Sequence, residues 1–288
     1  MTDKYAYFIG CTTPFRVSNY DLSTRKVMDK LGIELVDMPD AGCCGLYYEL
    51  INEKTYLAMA ARVLSMAEDL KLDLMVLCNG CNGSLFRANK KLKENPELKG
   101  EVNEILAGID RQFKGTIDVK HYVKVLWEDV GVDKIKEKVT KPINLKVAAH
   151  YGCHLMKPSE EIMFDNPKDP ASLDELIEAT GAESIDYYDK AQCCGGYVLA
   201  ADKDIAYAMT GQKLQNVKKA GADAMVTVCP FCNVMYDANQ KAVESAIGQE
   251  LKIPVLHYPQ LLGLAMGYEP KDLGLEQNRA RVDPKMFG

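Results

Sequence analysis

The ten cysteines of this chain fall into two copies of one pattern, and none is left over. Each copy has a lone Cys, then a Cys-Cys-Gly, then a Cys-x-x-Cys, with gaps of 32 to 40 residues between them. Five thiols that recur in one order this far apart indicate a fold that brings them together. The first set comprises Cys11, Cys43, Cys44, Cys78 and Cys81, and the second comprises Cys153, Cys193, Cys194, Cys229 and Cys232.

Five thiols per set is an odd number, so neither set pairs off internally as disulfides. A tetrahedral structural zinc site or an ordinary four-thiolate iron–sulfur cube uses four thiolates and leaves one unused. In a reducing compartment, clustered cysteines are more often metal ligands or redox groups than cross-links. The sequence therefore predicts two unusual metal centres.

The composition is that of an ordinary globular protein. The 288 residues are 47% hydrophobic and 26% charged, which is enough apolar material for one large or two modest domains. The apolar runs, such as 261–266, are too short to cross a bilayer, and the chain opens without an apolar signal core, so we expect a cytoplasmic protein with no direct membrane insertion. A formal net charge of −6 argues against nucleic acid as a partner.

The two cysteine sets belong to an internal duplication. Four flanking segments match in the same order, at offsets of 136 to 151 residues, so each repeat has the size of a domain. We expect a first domain over residues 1–142 and a second, with a C-terminal tail, over residues 143–288. The matched pairs are YAYFIGC from Tyr5 with VAAHYGC from Val147, IELVDMPDAGCCG from Ile33 with ESIDYYDKAQCCGG from Glu183, LDLMVLCNGC from Leu72 with ADAMVTVCPFC from Ala222, and IDVKHYVKVL from Ile117 with IPVLHYPQLL from Ile253.

Short apolar runs alternate with segments of helical periodicity, such as 53–70, in both repeats. This alternation predicts an α/β fold in which each domain is a small, mainly parallel sheet flanked by helices. Ligands gather at the carboxyl ends of parallel strands, where Cys11, Cys78, Cys153 and Cys229 are expected. The predicted strands are 5–9, 33–36, 74–77, 117–119, 145–149, 184–187, 224–228 and 253–256.

The spacing within each set favours an extended iron–sulfur assembly over a cube. The two sulfurs of a Cys-x-x-Cys can reach one metal or two neighbouring irons, often at the start of a helix. Adjacent cysteines bind one iron together only with strain, so they suit different irons, or one sulfur bridges two. Gly45 and Gly195 follow the adjacent pairs, and we expect their missing side chains to let the backbone approach a cluster.

The complete, duplicated C…CCG…CxxC pattern resembles the cysteine-rich CCG domain found twice in the B subunit of heterodisulfide reductase, over nearly the whole chain. The resemblance implies a non-cubane [4Fe-4S] cluster bound by the five cysteines of each domain. It also implies reduction of the mixed disulfide of coenzyme M and coenzyme B, the closing heterodisulfide of methanogenesis. The implied partners are the iron–sulfur C subunit and the flavin-containing, electron-bifurcating A subunit of the same complex, with a hydrogenase or formate dehydrogenase as a further candidate.

Two clusters suit this reaction, because a disulfide needs two electrons and iron–sulfur centres pass electrons singly. Our hypothesis is that the substrate lies between the two sites, that each site delivers one electron, and that each nascent sulfur is caught at an iron. In the alternative scheme, one cluster only relays electrons to the other.

Few other residues suggest a role in chemistry. His154 directly follows Cys153 and is a candidate proton donor to a leaving thiolate, or else a hydrogen-bond partner of the cluster. Because coenzyme M and coenzyme B are anionic, basic residues near the cysteines are candidate substrate-binding residues. They are Arg16, Lys157 and Lys190.

The other three histidines are expected to be structural. His121 and His257 recur in matching His-Tyr pairs at predicted strand ends, and His150 lies in a predicted buried strand. The tail after Pro270 is polar and irregular, and is expected to wrap a partner subunit or to be loose.

Two other function classes stay open at this point. One is a CCG-family subunit of a different oxidoreductase, such as a thiol:fumarate reductase or a quinone-linked dehydrogenase. The other is a non-catalytic protein with two structural zinc sites, against which the fifth thiol of each set argues.

Overall fold

Two parallel sheets organise the chain, and their topology confirms the predicted α/β fold. The structure is a computed structural model and describes residues 3–287. Both sheets are parallel throughout, with strand orders β2-β1-β3-β4 and β6-β5-β7-β8. The strands are β1 (Lys4–Phe8), β2 (Glu34–Asp37), β3 (Leu74–Val76) and β4 (Val119–His121), then β5 (Lys146–His150), β6 (Glu183–Ile185), β7 (Ala224–Thr227) and β8 (Val255–His257).

Helices connect the strands and cover both sheets. Two helical stretches continue as one turn of π-helix, at Val125–Val130 and Val234–Ala238. The α-helices are α1 (Thr12–Arg16), α2 (Ser18–Leu31), α3 (Glu53–Leu70), α4 (Asn79–Glu94), α5 (Pro96–Ala107), α6 (Tyr122–Lys124), α7 (Val132–Glu137), α8 (Ser159–Ile162), α9 (Ser172–Glu178), α10 (Lys203–Lys219), α11 (Pro230–Asn233), α12 (Gln240–Ile247) and α13 (Tyr258–Ala265). Among the described residues, every helix is too short or too polar to pass through a bilayer.

The same local signals shape both repeats. The Asn52 side chain caps α3 by accepting from the backbone N–H of Thr55, and Asp202 caps α10 in the same way through Ile205. These caps fix where each helix begins after its Cys-Cys-Gly segment. The strand order of each sheet reverses between its first and third strands, and the loops that leave those strands form a ligand-binding crevice at their carboxyl ends.

The two repeats share one buried interface. Helices α2 and α13 pack against each other, and one core cluster contains residues of both sheets. At its centre the Tyr20 hydroxyl lies 3.0 Å from the carbonyl oxygen of Leu77 and 2.9 Å from that of Val228. These carbonyls precede Cys78 and Cys229, so one hydroxyl holds the two equivalent loops side by side. The predicted division at residues 142/143 stays a prediction.

The matching histidines lie at the ends of β4 and β8, as their position in the sequence predicts. The Nε2 atom of His121 is 3.1 Å from the Leu77 carbonyl oxygen, and the ring of His257 stacks on Tyr20 at a centroid distance of 4.0 Å. Burial lowers the pKa of His121 to about 4 and that of His257 to about 3, so both rings are neutral at pH 7.

The C-terminal tail is not loose, and its contact with a partner subunit stays a prediction. Its polar residues bond to elements of both repeats of the same chain. Gln277 accepts from the Ser18 hydroxyl at 2.9 Å, and the Asn278 carbonyl oxygen accepts from the Asn19 and Gln260 side-chain amides at 2.9 and 3.0 Å. The tail is therefore a strap across the two repeats.

Replacing Tyr20 with Phe should lower the stability of the whole molecule. The change removes a buried hydroxyl shared by two carbonyls, which costs about 1–3 kcal/mol. The Tyr268→Phe variant is the matched control, because that hydroxyl meets the Lys26 carbonyl at 3.2 Å in an exposed position and should cost less than about 0.5 kcal/mol. The check is the unfolding midpoint of anaerobically prepared protein; equal midpoints for the two variants would contradict the central role of Tyr20.

Candidate metal centre

Each cysteine set surrounds the switch point of its own sheet, which is the place where the strand order reverses between the first and third strands. The lone cysteines, Cys11 and Cys153, follow the first strand of each repeat, and the Cys-Cys-Gly segments lie between the second strand and the next long helix. Cys78 and Cys229 follow the third strand of each sheet and occupy the N-cap positions of α4 and α11, where the helix dipole favours a thiolate. The topology thus brings together groups that are far apart in sequence.

One cavity contains both sets. Its empty volume, which includes space open to solvent, is about 660 Å³, and all ten cysteines line it. All ten are free thiols. In each set the last three cysteines are buried, whereas the lone Cys and the first Cys of the adjacent pair are partly or fully exposed. The sulfur-lined interior is therefore open to solvent at the lone Cys and the first Cys of each adjacent pair.

The ten sulfurs form a continuous series of contacts. Each thiol lies within hydrogen-bonding reach of the next, and the series crosses from one repeat to the other at Cys78 and Cys229. The backbone N–H of Asn79, in the first repeat, also contacts Cys229 in the second. The order is Cys11, Cys43, Cys44, Cys81, Cys78, Cys229, Cys232, Cys194, Cys193, Cys153.

These contacts shift the thiol pKa values in opposite directions. The hydrogen bond from Cys153, followed by that from Cys194, lowers the pKa of Cys193 to about 2. The same contacts raise the pKa of Cys153 above its ordinary range and that of Cys194 to about 12. Adjacent thiols cannot all ionise in a buried site without cations between them, and metal binding supplies such cations as it displaces protons. The donor set therefore fits a thiolate-bound metal cluster.

Gly45 and Gly195 are required for a different reason from the one that the sequence indicates. A Cβ atom at Gly195 would lie 2.7 Å from the Ala206 carbonyl oxygen of α10, and one at Gly45 would lie 3.0 Å from the Tyr56 carbonyl oxygen of α3. Both glycines have positive φ, of 86° and 82°. They bring each Cys-Cys segment close to a helix, and the backbone of that helix leaves no room for a side chain.

His154 lines the cavity beside Cys153. Its Nδ1 atom lies 3.2 Å from the Cys153 sulfur, and its ring stacks on Tyr197 at a centroid distance of 5.2 Å. Burial, and then the charge of Arg87, lower the pKa of His154. The geometry thus places an imidazole at the most accessible part of the second set.

None of the three predicted anion-binding residues lines the cavity. Arg16 is exposed at the end of α1, and the Lys157 ammonium lies 3.5 Å from the Ala191 carbonyl oxygen. Lys190 forms an ion pair with Asp174 at 2.7 Å, and both side chains are less than one-fifth exposed. Because this carboxylate occupies the ammonium, we withdraw Lys190 as a substrate-binding residue.

Sequence reasoning missed the aromatic side chains of the cavity. Tyr47 and Tyr197 line it and contact each other at a centroid distance of 5.6 Å, and Phe231 lies 6.3 Å from Tyr47. The signal was present in the repeat itself, since each tyrosine is three residues after the second Cys of its adjacent pair. These rings cover part of the sulfur-lined interior with apolar surface.

His150 was assigned to the core, and it is buried in β5 as predicted, but its ring faces sulfur. A ring nitrogen and the sulfurs of Cys194 and Cys232 lie within 4.8 Å of one another. Its surroundings are therefore those of the second cysteine set.

Comparisons with known proteins identify the family. The family model of the CCG cysteine-rich domain matches residues 5–86 and 147–237. The B subunit of the ferredoxin:CoB-CoM heterodisulfide reductase of Methanosarcina mazei is 42% identical over 96% of this chain and 93% of its own length. The 8-methylmenaquinol:fumarate reductase membrane anchor subunit of Wolinella succinogenes is 31% identical over 96% of this chain and 97% of its own length.

A solved structure shares the fold. A hypothetical protein from Helicobacter pylori superposes with a TM-score of 0.78 at 16% identity, over 98% of this chain and 53% of that one. The chain has two copies of the CCG domain and is 42% identical to the Methanosarcina mazei subunit along nearly the full length of both proteins, which shows its family. It belongs to the family of heterodisulfide reductase B subunits.

Proposed function

We propose that this chain is the catalytic B subunit of a heterodisulfide reductase. Its two cysteine sets hold two non-cubane [4Fe-4S] clusters, and the mixed disulfide of coenzyme M and coenzyme B is reduced to two thiols in the cavity between them. The observation that carries the proposal is that all ten cysteines line one cavity and the two sets meet at Cys78 and Cys229. The 42% identity to a protein of that name supports the substrate.

The clusters would supply single electrons when bound, and the chain's own residues would hold them and line the space between them. The cysteines of the two repeats face one space, so a small disulfide there is within reach of both sets. Tyr47, Tyr197 and Phe231 line that space and give it apolar surface. His154, on the Cys153 sulfur, is the candidate that gives a proton to a leaving thiolate, and Arg16 and Lys157 stay candidates for the anionic ends of the substrate.

Partner subunits are part of the proposal. Leu50 and Ile51, which follow the first Cys-Cys-Gly segment, are 97% and 78% exposed, and Tyr47 and Tyr48 beside them are about half exposed. Exposed apolar surface of this kind marks an interaction site. We propose the iron–sulfur C subunit and the flavin-containing A subunit of the complex as partners, with hydrogenase or formate dehydrogenase as a further one, in the cytoplasm, where thiols stay reduced.

A second candidate is a subunit of a quinol-linked fumarate reductase. The relative from Wolinella succinogenes favours it, because the similarity covers 96% of this chain. Full iron content without reduction of the heterodisulfide would favour this candidate over the first.

Anaerobically purified protein should contain roughly eight iron atoms per chain and reduce the heterodisulfide with a reduced viologen as donor. The Cys11→Ser and Cys153→Ser variants each remove one thiol from one set. We expect each to lose activity at least about 10- to 100-fold, because substitutions even outside the first coordination sphere cost that much. The readouts are iron per chain and the rate of thiol formation. Iron-free protein, or a Ser variant of unchanged rate, would contradict two cooperating sites.

Replacing Gly195 with Ala should remove iron from the second set alone. The new methyl meets the α10 backbone, so the Cys193-Cys194 segment must shift, and iron should fall to roughly four atoms per chain. Gly221→Ala is the matched control, because Gly221 also has a positive φ of 80° but has nothing within 4 Å of the added Cβ. It should keep its iron and lose only about 1–2 kcal/mol of stability. Equal iron contents in the two variants would refute this account of Gly195.

A further inference from the structure

The two cysteine sets match, but the buried residues behind them differ. His150 in β5 and Phe8 in β1 are each three residues before the lone cysteine of their repeat and are equivalent in the duplication. Both are buried, and Phe8 packs in the cluster that contains Cys44 and Cys81. The second set therefore has an imidazole beside it, whereas the equivalent position of the first repeat holds a phenyl ring.

The His150 ring has an unused hydrogen-bonding capacity. Both of its nitrogens are buried and have no hydrogen-bond partner among the residues that the structure describes. An imidazole that keeps one N–H needs an acceptor, because a buried donor without one costs about 1–3 kcal/mol. The sulfurs of Cys194 and Cys232 are candidate acceptors, within 4.8 Å of a ring nitrogen, and the ring of Tyr236 packs edge-on against the imidazole at a centroid distance of 4.9 Å.

A buried cation adds to this difference. Lys213 of α10 is fully buried, and its ammonium donates to backbone carbonyls of the segment that leads into Cys193, including that of Gln192 at 3.0 Å. Counted from the helix caps, its equivalent in α3 is Val63. Arg62 binds the corresponding segment of the first repeat through Asp40 and Ala41.

The two cations are not equivalent electrostatically. Arg62 is only half-buried, so water screens its charge, whereas the charge of Lys213 is shielded from water. A cation therefore holds each Cys-Cys segment, but among the described residues the second repeat combines a buried charge with an imidazole nitrogen close to sulfur.

We propose that His150 donates a hydrogen bond to the sulfur ligands of the second set and, together with Lys213, gives the centre held there a higher reduction potential than the centre beside Phe8. The inference rests on the proposed function, because it requires a redox centre at both sets. Hydrogen bonds to sulfur and nearby positive charge both stabilise the more negative, reduced state. A single electron that reaches the pair therefore resides on the second set, and the two halves of a bound disulfide face unequal centres. In this scheme His150 acts on the centre through the sulfur ligands and is not itself a ligand.

The duplication provides the matched variants. His150→Phe copies the first site into the second, Phe8→His does the reverse, and His150→Gln keeps an N–H donor at the same place. Each anaerobically purified, iron-loaded protein is titrated with a reductant, followed by absorbance and electron paramagnetic resonance, with iron content and unfolding midpoint measured in parallel. We expect two separate reduction midpoints, one for each set, in the unsubstituted protein.

The variants should move these midpoints selectively. His150→Phe should lower the upper midpoint and leave the lower one in place, His150→Gln should restore part of the loss, and Phe8→His should raise the lower midpoint. If Phe8→His does not fold, the first two variants still decide the matter. Unchanged midpoints in iron-complete His150→Phe would overturn the proposal, as would a shift of the lower midpoint.

Loss of iron from His150→Phe would also overturn the proposal, because His150 would then be a ligand. Failure of the proposed function has a different signature: the midpoints shift as expected while the unsubstituted protein does not reduce the heterodisulfide. Unsubstituted protein without iron would refute both.

Discussion

The structure depends on the contact between two switch points, each at the carboxyl edge of a parallel sheet. The carbonyls that precede Cys78 and Cys229 share the Tyr20 hydroxyl, so the third strands of both sheets end at one place. A switch point is where an open parallel sheet binds its ligand, and here two of them open into a single cavity. One duplicated fold therefore produces one composite site.

Electrostatics then restricts what this site can contain. Ten neighbouring thiols, most of them buried, cannot ionise together in a low dielectric, and their contacts shift their pKa values in opposite directions. Metal cations bound between the thiolates would compensate their charge. The duplication also allows the two halves to diverge around identical ligands. His150 and Lys213 occupy positions that Phe8 and Val63 occupy in the first repeat. A comparison of the two repeat sequences shows many such differences, and only the fold shows which of them lie near the cysteines.

The sequence predicts the elements better than their contacts. All eight predicted strands are present to within two residues at each end, and α3 spans the predicted range. The reason for the central strands is that strands buried on both faces appear as short continuous apolar runs, whereas the partly exposed β2 and β6 are located by their match in the duplication. The errors concern polar groups whose partners lie elsewhere in the chain. Asn278 bonds to Asn19 across 259 residues, and Lys190 pairs with Asp174 in a helix that the cysteine pattern does not mark. No periodicity reports such contacts, and the same holds for the position of His150 against sulfur.

The central claim is that both cysteine sets hold iron and meet across one cavity. An anaerobic crystal structure with anomalous diffraction at the iron edge, from crystals grown with the heterodisulfide or its thiol products, tests it most directly. We expect iron at both sets, with the bound small molecule in contact with the two sites at once. Iron at one set only, or two iron sites separated by protein so that no single small molecule touches both, would contradict it.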